Sequence, residues 1–231
     1  MPDGAAVRQM FAEVAPGYDR ANRILSAGID VLWRKRAVAV AAVQPGERAL
    51  DVCSGTGDLS LALARAGATV VGSDFCPEML AHAATKAAHW PGPHAPRYLV
   101  ADTLALPFPE ASFDLCTVAF GIRNVADPER GLREMARVVR PGGRVLVLEF
   151  CKPRVPLLAQ AYLFYFRRIL PLVGRIVSGT DNGAYHYLPD SVMKFPERAE
   201  FLGLMERAGL RDPRMTLLTG GIAAIYRGEV R

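Results

Sequence analysis

The segment Asp51–Asp58, DVCSGTGD, carries the residues best suited to holding a ligand. Gly55 and Gly57 allow a tight turn and a close backbone approach where a Cβ would collide. A strand before them and a helix after them would aim free N–H groups and the helix's positive end at an anionic group. A dinucleotide loop needs a third glycine to seat a pyrophosphate. Here that position is Ser60. The loop therefore suits a ligand without a pyrophosphate, such as the amino-acid end of S-adenosylmethionine, with Asp51, Gly55 and Gly57 as its contacts. A plain strand-to-helix turn is the alternative.

Two further acids follow at intervals that a repeating strand-and-helix chain would place on the same edge. Asp74 closes VVGSD, where such a fold puts the carboxylate that accepts from ribose hydroxyls. An Asp capping the next helix would look the same. Asp102 closes YLVAD and is followed by Thr103. Its carboxylate could accept from an adenine amine while the next backbone N–H reaches a ring nitrogen.

Elements to position these residues are legible. ERALDVC, ATVVGSD, RYLVAD, FDLCTVAF and RVLVLEF read as buried strands. LSLALARAG, CPEMLAHAATKAA and PERGLREMARVV read as helices between them. Strands alternating with helices predict an α/β fold, with a doubly wound, mostly parallel sheet covered on both faces. Residues 1–44 read as a helical cap, with Asp30 as the N-cap of GIDVLWRKRAVAVAAV. Residues 45–153 form the cofactor-binding core and 154–196 a substrate-side insertion. Within it, VPLLAQAYLFYFRRILPLVGRIV is apolar and aromatic, and SGTDNGAYHYLPDSV reads as a loop. Residues 197–231 close the chain with a helix at PERAEFLGLMERAG, stopped by Gly209, and a β-hairpin around Gly220 and Gly221. The whole chain, 1–231, is read as a single domain with a seven-stranded sheet.

The composition, 51% hydrophobic and 22% charged over 231 residues, is that of a globular chain and not of a disordered one. The net charge of +5 is spread along the sequence. It fits a mildly basic surface or attraction to an anionic membrane face, and no basic cluster interleaved with aromatics points to nucleic acid. The four cysteines form no CxxC pair, so neither zinc spacing nor a disulfide framework is expected, and no metal is called for. MPDGAAVRQMF lacks the apolar stretch of a signal peptide, which predicts a cytoplasmic protein.

Two longer signatures are more specific than any of these. They are YDRANRILSAGIDVLW, Tyr18 to Trp33, and RVVRPGGRVLVLEFCKP, Arg137 to Pro153. Between and after them lie SFDLCTVAFGIRNVADPERGL and YHYLPDSVMKFP. Through these segments the sequence resembles the quinone-biosynthesis C-methyltransferases, which act on demethylmenaquinone and on ubiquinone precursors, and the likeness covers nearly the whole chain. It departs from the family pattern at Ala21, at Ile29 and Asp30, at Ala119, where some members have Ser, and at Arg140 and Cys151. The resemblance implies the class I methyltransferase fold and S-adenosylmethionine as cofactor. It implies that Thr56, Asp74, Asp102 and Thr103 touch the cofactor and that Tyr18 closes over it. Arg123 and Asn124, in GIRN, would face the acceptor as catalytic residues.

The acceptor implied is an isoprenoid quinol, and its tail gives the apolar segment 155–177 a purpose. Arg167, Arg168, Pro171 and Arg175 interrupt that segment, so it does not read as a spanning helix. A core helix, a homodimer interface, and an apolar tunnel or membrane-surface element each fit it. A methyltransferase with a soluble acceptor and a non-catalytic cofactor-binding protein are the competing readings. The apolar insertion argues against the first, and the intact glycine loop with GIRN against the second.

Overall fold

The computed structural model describes residues 4–170 and 184–231. Five strands run parallel: β1 (Arg48–Val52), β2 (Thr69–Asp74), β3 (Arg97–Val100), β4 (Phe113–Ala119) and β5 (Val139–Phe150). The closing hairpin adds β6 (Leu210–Leu218) and β7 (Ala223–Val230). β7 inserts beside β5 in antiparallel sense, giving the order β3-β2-β1-β4-β5-β7-β6. The expected strands and the hairpin around Gly220 and Gly221 are thus present in one sheet.

Alternation along the strands decides which residues face which layer of helices. Leu50, Val52, Cys116, Val118, Val145 and Val147 face one side, packed with residues from α6 (Pro128–Arg137) and α9 (Ala199–Arg207). Ala49, Leu115, Leu146, Leu148 and Ile225 face the other, against α3 (Ile29–Ala41) and α4 (Asp58–Arg65). Burial on both faces is what a parallel sheet requires. α5 (Pro77–Ala88) covers β2 and β3.

α1 (Gly4–Val14) and α2 (Tyr18–Leu25) form the cap with α3. Asp30 does not cap α3 as expected. The helix starts at Ile29 after Gly28, whose φ of 77° no side chain would favour. Asp30 lies buried one residue inside, where it accepts from Ser26 Oγ (2.7 Å), Arg23 and Arg34. Burial opposes its charge, but the Ser26 hydroxyl and the Arg34 guanidinium hold its carboxyl below the usual range.

Within the insertion, α7 (Pro156–Phe164) continues through a wider turn, Tyr165–Ile169. The expected loop over 178–192 is a helix from Ala184 onward, α8 (Ala184–Lys194), while 178–183 lie outside the described residues. Pro189 lies inside this helix, where proline removes one helical hydrogen bond. Contacts of Tyr187 and Ser191 with the segment after β4 dock α8 in compensation.

Candidate active site

The sheet order reverses between β1 and β4, and open α/β sheets leave a crevice at the carboxyl ends of the strands at that point. Two cavities, of about 270 and 170 Å³, lie there. Phe11, Tyr18, Cys53, Gly55, Ala119 and Phe120 line both, so the two share a wall. Cys53 and Phe120, which directly follow β1 and β4, have φ of 49° and 58°. Such left-handed geometry is strained for residues with a Cβ and is often found at functional sites. Gly121 permits it: a Cβ there would stand 2.3 Å from that of Cys53.

The smaller cavity gathers Asp74, Asp102, Thr103, Gly55 and Tyr18. Asp74 is buried and accepts from Gly55 N–H (2.8 Å) and Cys76 N–H (2.9 Å), so it holds the glycine loop as well as facing the cavity. Burial pushes its carboxyl upward against these backbone bonds. Asp102 lies beyond the end of β3, exposed, and accepts from Leu104 N–H (2.9 Å). Thr103 is buried and pairs with Cys53 Sγ at 3.4 Å. Burial raises the Cys53 thiol to about 12, so it stays protonated at neutral pH.

Gly55 and Gly57 have different tasks. A Cβ on Gly55 would meet no protein atom within 4 Å, although its φ is 53°, and the residue lines both cavities. Gly57 lines neither. A Cβ there would fall 2.3 Å from Tyr98 Oη and 3.1 Å from Ala83 Cβ. Gly57 was expected to meet the ligand, and instead it lets α4 close on α5 and β3. Ser60, in place of a third glycine, is buried and donates to Asp51 (2.6 Å). Thr117 donates to the other Asp51 oxygen (2.9 Å). Burial nevertheless raises the Asp51 carboxyl to about 6. Asp51 and Thr56 line the larger cavity, but the Thr56 hydroxyl is already given to Asp19 of α2.

The larger cavity combines this polar end with an apolar one. Its aromatic side is built from Trp33, Phe120, Phe150, Tyr162, Tyr165 and Phe166. Phe120 and Phe150 lie 4.6 Å apart and Tyr162 and Phe166 4.2 Å, centroid to centroid. Trp33 Nε1 donates to Thr219 Oγ1 (2.8 Å), so a buried indole keeps its hydrogen bond. Sequence reasoning missed these residues as a group, because Trp33, Phe120, Phe150 and Tyr162 come from four separate segments. Only the aromatic content of α7 signalled them.

Arg123 reaches the same cavity from the segment after β4, its side chain 6% exposed. It donates to both oxygens of Glu149 (3.1 and 3.3 Å), to Phe120 O and to Ser191 Oγ (3.3 Å), and lies over the Phe150 ring. Burial raises the Glu149 carboxyl against the pull of Arg123. Asn124, expected beside Arg123, is on the wall of the other cavity. It lines the smaller cavity and accepts from Tyr187 Oη (3.0 Å), because the turn Ile122–Asn124 sends successive side chains to different walls.

These residues fit S-adenosylmethionine: Gly55 leaves room that a Cβ would fill, Asp74 stands at the second strand's end, and a neighbouring cavity can take an acceptor. The sheet order and the glycine loop at its switch point define a class I S-adenosylmethionine-dependent methyltransferase. Solved structures agree on the fold. A methyltransferase from Thermotoga maritima superposes with a TM-score of 0.69 at 19% identity over 96% of this chain and 99% of its own. The magnesium protoporphyrin IX methyltransferase of Synechocystis, with bound S-adenosylhomocysteine, gives 0.68 at 19% over 99% and 100%. The ubiE/COQ5 methyltransferase family model matches residues 2–229, and the chain belongs to that family. It is 49% identical to the demethylmenaquinone methyltransferase of Thermus thermophilus, over 95% of this chain and 99% of that protein. It is 47% identical to the ubiquinone/menaquinone biosynthesis C-methyltransferase UbiE of Geobacter sulfurreducens, over 98% and 89%.

Proposed function

We propose that this protein methylates a ring carbon of a demethylated isoprenoid quinol, converting demethylmenaquinol to menaquinol. The observation that carries this reading is the aromatic side of the larger cavity, which holds the buried Arg123 guanidinium and adjoins the glycine loop. The names of its relatives support the same substrate class.

S-adenosylmethionine, when bound, supplies an activated methyl group. The chain's own residues must then orient the acceptor, and orientation alone is worth roughly 7–11 kcal/mol. The aromatic walls fit a planar ring and exclude water. A quinol carbon becomes more nucleophilic when the adjacent hydroxyl loses its proton. Arg123 stabilises the resulting phenolate, and its permanent charge makes it a poor proton acceptor. Solvent takes the hydroxyl proton. Once the carbon–methyl bond has formed, the same ring carbon releases its own proton to solvent and the oxygen regains one, which restores the aromatic quinol. Asp74, Asp102 and Thr103 hold the nucleoside, Asp51 and the Gly55–Thr56 backbone face the amino-acid end, and Tyr18 covers both. Asn124 acts from the cofactor side.

No helix among the described residues is long and apolar enough to cross a membrane. A peripheral contact at the cytoplasmic face is part of the proposal. Its support is the outer side of the insertion, where Val155, Leu157 and Phe164 are exposed beside exposed Arg154.

The test is conversion of S-adenosylmethionine to S-adenosylhomocysteine by the purified enzyme. Reduced demethylmenaquinone and the demethylated ubiquinone precursor are compared as acceptors. Turnover highest with the naphthoquinol is expected. No turnover with either quinol, alongside turnover of a soluble phenol, would overturn the reading.

A further inference from the structure

Two cationic side chains line the cavities among the described residues, Arg34 and Arg123. Arg123 is held by Glu149 on the aromatic side. Arg34 projects from α3 into the opposite, polar end of the larger cavity, where Asp51, Gly55, Thr56 and Asp58 also lie. Its side chain is 13% exposed. One guanidinium nitrogen, Nη1, bonds Asp30 and stands 3.9 Å from Asp58. The guanidinium stacks on the Phe120 ring, 5.7 Å from its centre, and its charge acts on the Asp51 carboxyl. Among the described residues, no other protein acceptor takes its remaining N–H groups. Arg34 is therefore pinned at one corner with donors left over, at the mouth of the glycine loop.

S-adenosylmethionine ends in a zwitterionic amino acid, and its carboxylate needs a cation. With the nucleoside against Asp74 and Asp102, that end falls at the polar end of the larger cavity. We propose that Arg34 receives the cofactor's α-carboxylate, with the ammonium group facing the acids Asp30 and Asp51. A guanidinium matches a carboxylate with two parallel N–H donors, which a lysine cannot do. Asp30 serves here as a positioning residue that fixes the fork's direction. This assignment rests on the cofactor site described above and needs no acceptor, so it stands or falls independently of the quinol reading.

Titration calorimetry with two ligands tests it. S-adenosylhomocysteine carries the amino-acid end, and 5′-methylthioadenosine has the same nucleoside and sulfur without it. Arg34→Met should weaken S-adenosylhomocysteine about 10- to 100-fold, the range for hydrogen bonds between charged groups. Its affinity for 5′-methylthioadenosine should stay within about twofold of wild type. Arg34→Lys, which retains the charge opposite Asp30, should recover only part of the loss. Equal weakening of both ligands in either folded variant would make Arg34 a structural brace of α3 and overturn the proposal. So would unchanged affinity for S-adenosylhomocysteine, or a wild-type enzyme that binds the two ligands equally.

Discussion

At the scale of single residues, the site is a set of side chains that each hold protein while facing a cavity. Asp74 is the clearest case, because its carboxylate fixes the Gly55 and Cys76 amides. Asp74→Ala should weaken S-adenosylmethionine by about 1.5–3 kcal/mol, the range for hydrogen bonds to a charged group. Calorimetric titration of the folded variant reads this, and unchanged affinity would remove Asp74 from the ribose. Arg123 has a second duty of the same kind toward Glu149. Arg123→Ala should lower kcat about 10²–10³-fold, the effect of losing one preorganised donor, with cofactor affinity nearly unchanged. It should also destabilise the fold, since Glu149 is left buried without its countercharge, though it keeps the Phe150 N–H bond. Adding Glu149→Gln should restore part of the melting temperature and none of the rate. Single-turnover kinetics and thermal melts on both variants separate catalysis from packing, and near-normal turnover in Arg123→Ala would discard the assignment.

Elements determine what the two loop glycines do. The turn from β1 into α4 places Gly55 on the cavity walls and Gly57 under Tyr98. Gly55→Val should abolish cofactor-dependent thermal stabilisation, because the side chain grows into the cavity; its φ of 53° adds a cost of roughly 1–2 kcal/mol. Gly57→Ala should act first on the apo protein, lowering its stability by about 1–3 kcal/mol as the methyl group displaces Tyr98. Melting curves with and without S-adenosylhomocysteine distinguish the two. Full ligand stabilisation in Gly55→Val would move the site elsewhere. The cap works at this scale too. Asp19 of α2 accepts from Lys86 (2.8 Å) on α5 and from Thr56, and so ties the cap to the glycine loop.

For the whole molecule, the walls of the larger cavity unite the cap, the sheet edge and the insertion. Lengthening the tail of a demethylquinol should raise kcat/KM, by at most roughly 0.8 kcal/mol for each CH₂ that becomes buried. Flat kinetics from a tail-less ring to one with several isoprenes would favour a soluble acceptor. The exposed side of α7 bears on delivery of such a substrate. The pair Leu157→Asp and Phe164→Asp should reduce co-sedimentation with anionic vesicles severalfold. Turnover of a short-tailed quinol in solution should not change. Equal vesicle binding by variant and wild type would rule out α7 as the contact.

Much of this was already legible in the chain. The alternation of apolar strands with helices determined a doubly wound sheet, and the glycine turn with Asp74 and Asp102 marked the edge where the cavities lie, because periodicity and turn chemistry are local properties. The signatures around GIRN and LEFCKP identified the family. Local reasoning failed where partners are distant in sequence. Asp30 had the composition of a helix cap but is buried among Ser26, Arg23 and Arg34. Gly57 had the spacing of a ligand contact but lies under Tyr98. Arg123 and Asn124, adjacent in the chain, face different cavities. Neither the pairing of Arg123 with Glu149 nor the meeting of Trp33, Phe120, Phe150 and Tyr162 could be read from spacing. Which side of a residue meets a cavity depends on the register of neighbouring strands and the packing of helices across them, and only the assembled tertiary structure sets those.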